Sequence, residues 1–327
     1  MPLTTEQLEL RKGKVMASDV AAYLCLSPYQ GPLSAWAQNQ GLDVPVMNDA
    51  MQAGTFLEDG LIRWAMTRIG YSVFGTPGTI FHPVHKWAGC TPDAEFYPKA
   101  PESVAFETQD GIQIKVHALH MAAKFNGSPE DSDPPHNDLI PAHHLVQCQL
   151  EMFVTGALVW WLGAYFGGAD FRLYRLYRDE ELIKMLRDRT YEFWRKHMDP
   201  AGPMETPPAT GYEADEAVLK RLHPLPRLPL LQPTDRHYEL ADRYQSLSAR
   251  VKELEAARDE AKNLLCQSIG DADGIEGVCT WKLVIRKPKP DYKFIANLHP
   301  DFTALATTNQ VISDPYRIFR LTNEHKE

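Results

Sequence analysis

Two short polar segments of the chain combine residue types that suit metal-assisted cleavage of phosphodiesters. The first segment, TPD, ends at Asp93, and the second, QIK, places Gln113 two residues before Lys115. An Asp and a polar residue on neighbouring strands can bind Mg²⁺, while a Lys beside them orients or activates a water molecule. Both segments are common when taken alone, so the prediction depends on the elements that position them.

A hairpin is expected to carry the second segment. Asp110-Gly111 is a favourable two-residue turn, and it would pair a strand over Val104–Gln109 with a strand over Ile112–His117. Side chains alternate along a strand, so Gln113 and Lys115 are expected to share one face, opposite the apolar residues. A Lys in such a place needs an anionic partner, for which the Asp of the first segment and a DNA phosphate are the candidates.

A second candidate carboxylate lies on a predicted amphipathic helix that follows Met51. Gly54 predicts a close approach of this helix to another backbone. Glu58 lies among apolar neighbours, where a carboxylate is costly unless a metal, a water molecule or a Lys offsets its charge. The alternative is an ordinary exposed Glu on the helix surface.

The N-terminal region carries a candidate phosphate site. Ser18 is expected to cap a helix over Asp19–Leu24, and Arg11 lies close before it in the sequence. A helix N-terminus with a hydroxyl group and a nearby Arg can bind a phosphate. The alternative is a simple cap with an unrelated surface Arg.

A further helix is predicted around Gln147, with Leu150, Glu151 and Val154 on the same face. Gln147 can hold a water molecule or a phosphate beside a metal, although an ordinary polar helix face would have the same pattern. The nearby residues His136, His143 and His144 adjoin prolines and lack zinc-ligand spacing, so no zinc site is expected there.

The composition is that of a globular protein without a global basic signal. The chain has 327 residues, a net charge of -9 and five cysteines without a C-x-x-C pair, which indicates reduced thiols and a cytoplasmic protein. The start of the chain lacks the apolar core of a signal peptide, and no apolar run reaches membrane length. A nucleic-acid enzyme can still concentrate its positive charge in one channel.

Three regions are expected along the chain. Residues 1–199 alternate helical and strand patterns, and residues 200–235 contain a high density of prolines that predicts a linker or an extended strap. Residues 236–327 are predicted to form a small helix-plus-strand extension. Its helix has an apolar seam from Leu240 to Leu254, and strand-like runs follow at Val278–Lys287 and Tyr316–Leu321.

Taken together and in order, these segments resemble the YqaJ-type viral recombinase family, relatives of phage lambda exonuclease in the PD-(D/E)xK nuclease superfamily. The resemblance covers about residues 9–198. It implies an α/β (α+β) restriction-endonuclease-like core, in which helices flank a central mixed sheet.

The resemblance also implies roles for individual residues. The 5′-terminal phosphate of the DNA would be bound by Arg11, Ser18 and Thr91. The other positions match a helix carboxylate at the edge of the metal site (Glu58), the shared ligand of two Mg²⁺ ions (Asp93), a backbone carbonyl ligand (Ile114), the catalytic Lys (Lys115) and the motif Gln of the next helix (Gln147).

Gln113 departs from the family pattern, which has Glu or Asp two residues before the Lys. An amide oxygen can bind Mg²⁺ but adds no charge. With the predicted hairpin turn, Glu107 would point to the opposite face and could not replace it. The departure leaves two readings: an active nuclease with a Gln ligand, or an impaired metal site.

The resemblance implies a Mg²⁺-dependent exonuclease that degrades the 5′-ended strand of linear double-stranded DNA and leaves 3′ single strands for recombination by annealing. It also implies that Mn²⁺ can take the place of Mg²⁺. A homotrimer, a single-strand annealing partner and a phage or prophage origin in a bacterial host are implied as well. The alternatives are a weakly active or inactive DNA-end-binding protein and a structure-specific endonuclease.

Overall fold

The structure is a computed structural model that describes residues 5–43, 48–71, 73–97, 110–126, 129, 132–225 and 229–282. The chain divides into two compact units, Met1–His223 and Pro224–Glu327. The first unit therefore extends beyond residue 199, where the sequence predicts the end of the nuclease domain.

The helices and strands are numbered in chain order. The helices of the described residues are α1 (Thr5–Arg11), α2 (Val20–Tyr23), α3 (Pro32–Asn39), α4 (Asp49–Ile69), α5 (Ala142–Thr155), α6 (Glu180–His197), α7 (Glu213–Leu222) and α8 (Asp235–Ile269). The strands are β1 (Val15–Met16), β2 (Val73–Gly75), β3 (Ile80–Phe81), β4 (Ala88–Cys90), β5 (Ala94–Tyr97), β6 (Asp110–Val116), β7 (Val159–Tyr165), β8 (Phe171–Tyr177), β9 (Gly274–Ile275) and β10 (Cys279–Thr280).

A mixed five-stranded sheet forms the centre of the first unit, in the order β2-β5-β6-β7-β8. Strand β6 runs parallel to β7, and the other neighbouring pairs are antiparallel. A smaller, three-stranded sheet of the same unit has the order β1-β4-β3. The predicted class, a central mixed sheet flanked by helices, is confirmed.

Helices cover the two faces of the central sheet. Helix α4 packs against β6 and β7, where Leu61 and Ile62 meet Ile112 and Ile114 in one apolar cluster. Helix α5 packs against β7 and belongs to a second, larger cluster with α2 and α6. The predicted alternation of β6 is confirmed, because its isoleucines are buried under α4 while Gln113 points to the other face.

The predicted hairpin turn at Asp110-Gly111 is wrong. Both residues are part of β6, and β6 pairs with β5, so that Ala94 lies opposite Ile112 and Phe96 opposite Asp110. Gly111 is required for packing instead, because a Cβ atom at this position would collide with the indole ring of Trp160. The predicted strand Val104–Gln109, and Glu107 with it, lies outside the described residues.

The first part of the proline-rich segment belongs to the core and is not a linker. Helix α7 packs against α3, and the Asp215 side chain is fully buried. Asp215 accepts hydrogen bonds from the backbone N–H of Ser34 at 2.9 Å and of Thr210 at 2.8 Å. The prolines end regular structure locally, but the polar anchor at Asp215 holds the segment against the core.

In the second unit, the described residues form the predicted helix α8 and a short antiparallel pair, β9 and β10. The seam residues of α8 from Leu240 to Leu254 are exposed. The strand predicted at Val278–Lys287 is described only as far as residue 282, and the run Tyr316–Leu321 lies outside the described residues. Among the helices that are described, none has the length and apolar character needed to cross a membrane.

Candidate active site

A cavity of about 390 Å³ opens where β5 and β6 approach α5. The predicted site residues that line it are Arg11, Ser18, Glu58, Thr91, Asp93, Gln113, Lys115 and Gln147. Residues from the N-terminal segment, α4, the connection between β4 and β5, β6 and α5 therefore line one cavity. Ile114 touches this arrangement through its backbone, while its side chain is buried on the α4 side.

Asp93 is held by two hydrogen bonds at the end of the sheet. It lies directly before β5, so that β6 has no strand partner beyond Ile112 on that side. Its Oδ2 atom accepts hydrogen bonds from the Ile114 backbone N–H at 2.6 Å and from Gln113 Nε2 at 2.7 Å. The carboxylate thus accepts the backbone hydrogen bond that a neighbouring strand would otherwise accept, and this fixes its orientation toward β6.

Opposing effects act on the pKa of Asp93. Burial raises the pKa of Asp93 from 3.8 to about 6, and the charge of Lys115 and the hydrogen bond from Ile114 oppose this rise. The nearby Glu58 carboxylate raises the pKa of Asp93 further. A cation in the cavity would favour the ionised form, because it would stand near two carboxylates at once.

Gln113 stands where the family pattern has an acidic residue, and its amide forms a different set of contacts. Its Nε2 atom donates to Asp93, so its Oε1 atom is the free end of the amide. Oε1 is buried and has no hydrogen-bond partner within the described part of the chain, and Gln113 as a whole is 6% exposed. A buried carbonyl oxygen without a donor is suited to a cation or a water molecule.

Glu151 is a site residue that the sequence pattern places on the right helix face but does not assign to the site. It is 1% exposed, lines the cavity, and its Oε1 atom accepts a hydrogen bond from Gln147 Nε2 at 3.0 Å. Its position one helical turn after Gln147, on a buried helix face, is the sequence feature that could have identified it.

The second carboxylate oxygen of Glu151 is left without a partner. Oε2 is buried and no described residue bonds to it, while burial raises the pKa of Glu151 from 4.5 to about 8. Gln147, Lys115 and the indole of Trp160 oppose that rise. The Trp160 Nε1 atom has no hydrogen-bond partner within the described residues. Its effect on the pKa of Glu151 is the smallest of these.

The two residues predicted for a phosphate site, Arg11 and Ser18, contact each other, but the predicted helix cap is wrong. Arg11 Nη2 donates to Ser18 Oγ at 2.7 Å, and Ser18 Oγ donates to Asp19 Oδ1 at 2.9 Å. Ser18 is not an N-cap, because it lies within a 3₁₀ turn over Ala17–Asp19 and the short α2 follows without a side-chain cap. Burial raises the pKa of Asp19, and Arg11 opposes this.

Thr91 and Glu58 complete the rim of the cavity. The Thr91 Oγ1 atom lies 3.1 Å from Thr79 Oγ1, which fixes a hydroxyl group beside Asp93. Glu58 is partly buried on α4 and acts on the charge of Asp93. The close backbone approach predicted for Gly54 is wrong, because a Cβ atom there would meet nothing within 4 Å.

Hard oxygen donors in this cavity fit a Mg²⁺ ion. Mg²⁺ prefers carboxylate, amide and carbonyl oxygens and retains several of its waters. Asp93, Glu58 and the unpartnered Gln113 Oε1 provide such oxygens on one side of the cavity. Over the described ranges, no three His, Cys, Asp or Glu side chains form a ready metal cluster, and this includes the histidines near α5.

Residues 6–158 match the family model of the YqaJ-like viral recombinase domain. The predicted resemblance to this family is therefore confirmed for these residues. A relative, the uncharacterized protein YqaJ of Bacillus subtilis (strain 168), is 24% identical over 306 residues, which is 90% of this chain and 87% of the relative.

Two solved structures are similar in part. The alkaline exonuclease LHK-Exo from Laribacter hongkongensis is 22% identical, with a TM-score of 0.45 over 58% of this chain and 90% of that chain. A phage-related exonuclease from Haemophilus somnus 129PT is 14% identical, with a TM-score of 0.39 over 57% of this chain and 96% of that chain.

Proposed function

We propose that this protein is a Mg²⁺-dependent nuclease that degrades the 5′-ended strand of linear double-stranded DNA. One observation carries the proposal: Asp93, Gln113 and Lys115 line the same cavity as Arg11 and Ser18. A cation site for cleavage and a cationic pocket for a terminal phosphate are thus combined. The family of the domain, a viral recombinase family, supports a DNA substrate.

The residues of the cavity divide the chemical work. Asp93, Gln113, Glu58 and the Ile114 carbonyl would hold Mg²⁺, which would polarise the scissile phosphate and lower the pKa of a water molecule. Lys115 projects from β6 into the cavity and can orient that water molecule or bind a phosphate oxygen. Gln147 lies on the α5 side, where its amide can bind the same water or a neighbouring phosphate.

The 5′ polarity rests on Arg11. Its guanidinium already donates to Ser18 Oγ, which orients the guanidinium before a phosphate arrives. A guanidinium binds phosphate through two parallel hydrogen bonds. A terminal phosphate held there would place the first phosphodiester of the strand toward Asp93. The homotrimer, the annealing partner, the second metal ion and the use of Mn²⁺ stay predictions that rest on the family resemblance.

Cleavage of defined DNA ends tests the proposal. We expect Mg²⁺-dependent degradation of linear duplex from 5′-phosphorylated ends, no cleavage in excess chelator, and no cleavage of closed circles. Arg11→Ala should slow degradation of phosphorylated ends by about tenfold to a hundredfold, since a charged hydrogen bond contributes roughly 1.5–3 kcal/mol. Equal slowing on 5′-hydroxyl ends would contradict the terminal-phosphate role, and cleavage of circles would indicate an endonuclease.

A second candidate function is DNA-end binding with weak or no cleavage. The observation that favours it is the neutral Gln113, whose amide donates to Asp93 and adds no charge to the cation site. In the same assay, a binder would retain the linear duplex intact at every Mg²⁺ concentration. Retention with Arg11-dependent affinity would therefore replace the first proposal by the second.

A further inference from the structure

Glu151 and Gln113 are two buried polar groups of one cavity, and each is incomplete. Gln113 Oε1 and Glu151 Oε2 both lack a hydrogen-bond partner within the described parts of the chain. The two residues come from different elements, β6 and α5, and both line the cavity. Their free oxygens are the kind of ligand that a hard cation prefers.

The charge of the cavity explains why these two groups belong together. At the strand position, Gln113 is an uncharged amide that donates to the Asp93 carboxylate. On the helix, Glu151 is 1% exposed, and an isolated buried carboxylate is strongly unfavourable unless it is paired or binds a metal. The uncharged Gln113 and the buried acid Glu151 therefore line the same cavity.

We propose that Glu151 belongs to the cation site and supplies the negative charge that Gln113 lacks. The Gln147 side chain donates to Oε1 and holds the carboxylate in place, so Oε2 is the oxygen left for the cation or one of its waters. This inference rests on the proposed metal-dependent function and extends the ligand set from the sheet to α5.

Lys115 and the Trp160 indole are the other groups that could compensate Glu151. Lys115 lines the same cavity, and both groups act on Glu151. No described residue, Lys115 included, forms a hydrogen bond to Oε2. A permanent Lys115–Glu151 ion pair would also withdraw the Lys from the water or the phosphate, so a cation is the better partner.

Direct binding of Mn²⁺ and of Mg²⁺ to the full-length protein, measured by calorimetry without DNA, tests the inference. Glu151→Gln keeps the shape of the side chain and the acceptor for Gln147 while it removes the charge. We expect Mn²⁺ affinity to fall about tenfold or more, since ligand charge is a main determinant of hard-cation affinity. The matched control is Asp59→Asn, which removes one negative charge from an exposed ion pair with Arg63.

A charge exchange sharpens the test. In the double variant Gln113→Glu/Glu151→Gln, the carboxylate moves from α5 back to β6, and the net charge equals that of the wild type. We expect this variant to regain most of the Mn²⁺ affinity that Glu151→Gln loses. Asp59→Asn should leave the affinity within about twofold of the wild type, because exposed charges are screened by solvent.

The outcomes separate this inference from the proposed function. If Glu151→Gln binds Mn²⁺ as tightly as the wild type, the inference is overturned, while wild-type cleavage leaves the function in place. If the wild type neither binds Mg²⁺ nor cleaves DNA, the proposed function itself fails. Should Glu151→Gln not fold by circular dichroism, Glu151→Ala decides in the same way, with weaker Mn²⁺ binding supporting the inference and unchanged binding overturning it.

Discussion

Two pairs of an acid and an amide stand in the cavity, one on the strands and one on a helix. On the strands, Asp93 accepts from both Gln113 and a backbone N–H, and its pKa is raised to about 6. On α5, Glu151 accepts from Gln147 alone among the described residues, and its pKa is raised to about 8.

Burial is the largest cause of the raised pKa of both acids, and Asp93 also receives a backbone N–H that Glu151 does not. Hydrogen bonds to the charged form lower the pKa of a carboxylate, whereas burial raises it. The strand end offers an unpaired backbone N–H to Asp93, but inside a helix the backbone N–H groups are used by the helix itself. Asp93 in the strand pair can therefore be ionised near neutral pH, whereas Glu151 in the helix pair needs a bound cation to stay ionised there.

Removal of the strand acid should have the largest effect. We expect Asp93→Asn to lower the rate of Mg²⁺-dependent DNA cleavage about a thousandfold or more, because the neutral Gln113 beside it cannot supply the lost charge. The single-turnover cleavage rate on linear duplex measures this. Near-normal cleavage by a folded Asp93→Asn protein would show that the strand pair is not the metal site.

Removal of the helix acid should stabilise the protein when no divalent cation is present. The folded-state pKa of Glu151 lies above its ordinary value of 4.5, so its contribution to stability becomes less favourable as the pH rises from about 4.5 to about 8. Glu151→Gln escapes this loss, which amounts to up to about 3 kcal/mol at pH 7.

The pH dependence of unfolding is the measurement. The difference in the free energy of unfolding between Glu151→Gln and the wild type should grow between pH 5 and pH 8 in chelator. Saturating Mg²⁺ should reduce it, because the cation stabilises the wild-type carboxylate. A difference that does not vary with pH would mean that Glu151 has an ordinary pKa in the folded protein.

A charge added to the strand pair should have a smaller effect on cleavage. Gln113→Glu is expected to lower the Mg²⁺ concentration needed for half-maximal cleavage by about threefold to tenfold, because an added carboxylate strengthens a hard-cation site. A Mg²⁺ titration of the cleavage rate gives the result. Loss of cleavage in a folded variant would instead assign Gln113 the role of holding Asp93 through its Nε2 donor.

Removal of the second unit should have the smallest effect on DNA cleavage. A chain that ends at His223 retains every residue of the cavity and also α7 with its buried Asp215. We expect it to fold and to cleave short duplexes within about threefold of the full chain, as distant sites are usually independent. A second truncation at residue 199 is the control, since it removes Asp215 and exposes the core beneath α7. Equal behaviour of the two truncations would contradict the boundary at 223.

Much of the site could be predicted because its signals are local. The two-residue period of β6 separates Gln113 and Lys115 from the isoleucines, and the helical period around Gln147 identifies a buried face. The proline-rich segment is predicted as a linker or an extended strap, and helix α7 within it is missed because proline density reports on local backbone only. The buried contact between Asp215 and Ser34 joins residues far apart in the sequence, and no local pattern encodes it.

By itself, the sequence determined the helices around Glu58 and Gln147, the face of β6 on which Gln113 and Lys115 lie, and the resemblance to the YqaJ-like family. Only the tertiary structure decided that β6 begins at Asp110, because the fit of Trp160 against Gly111 and the pairing with β5 set the strand register. It also brought Glu151 into the cavity and left its Oε2 atom without a partner among the described residues. Periodicity fixes which way a side chain points, whereas burial and charge depend on what the rest of the chain places opposite it.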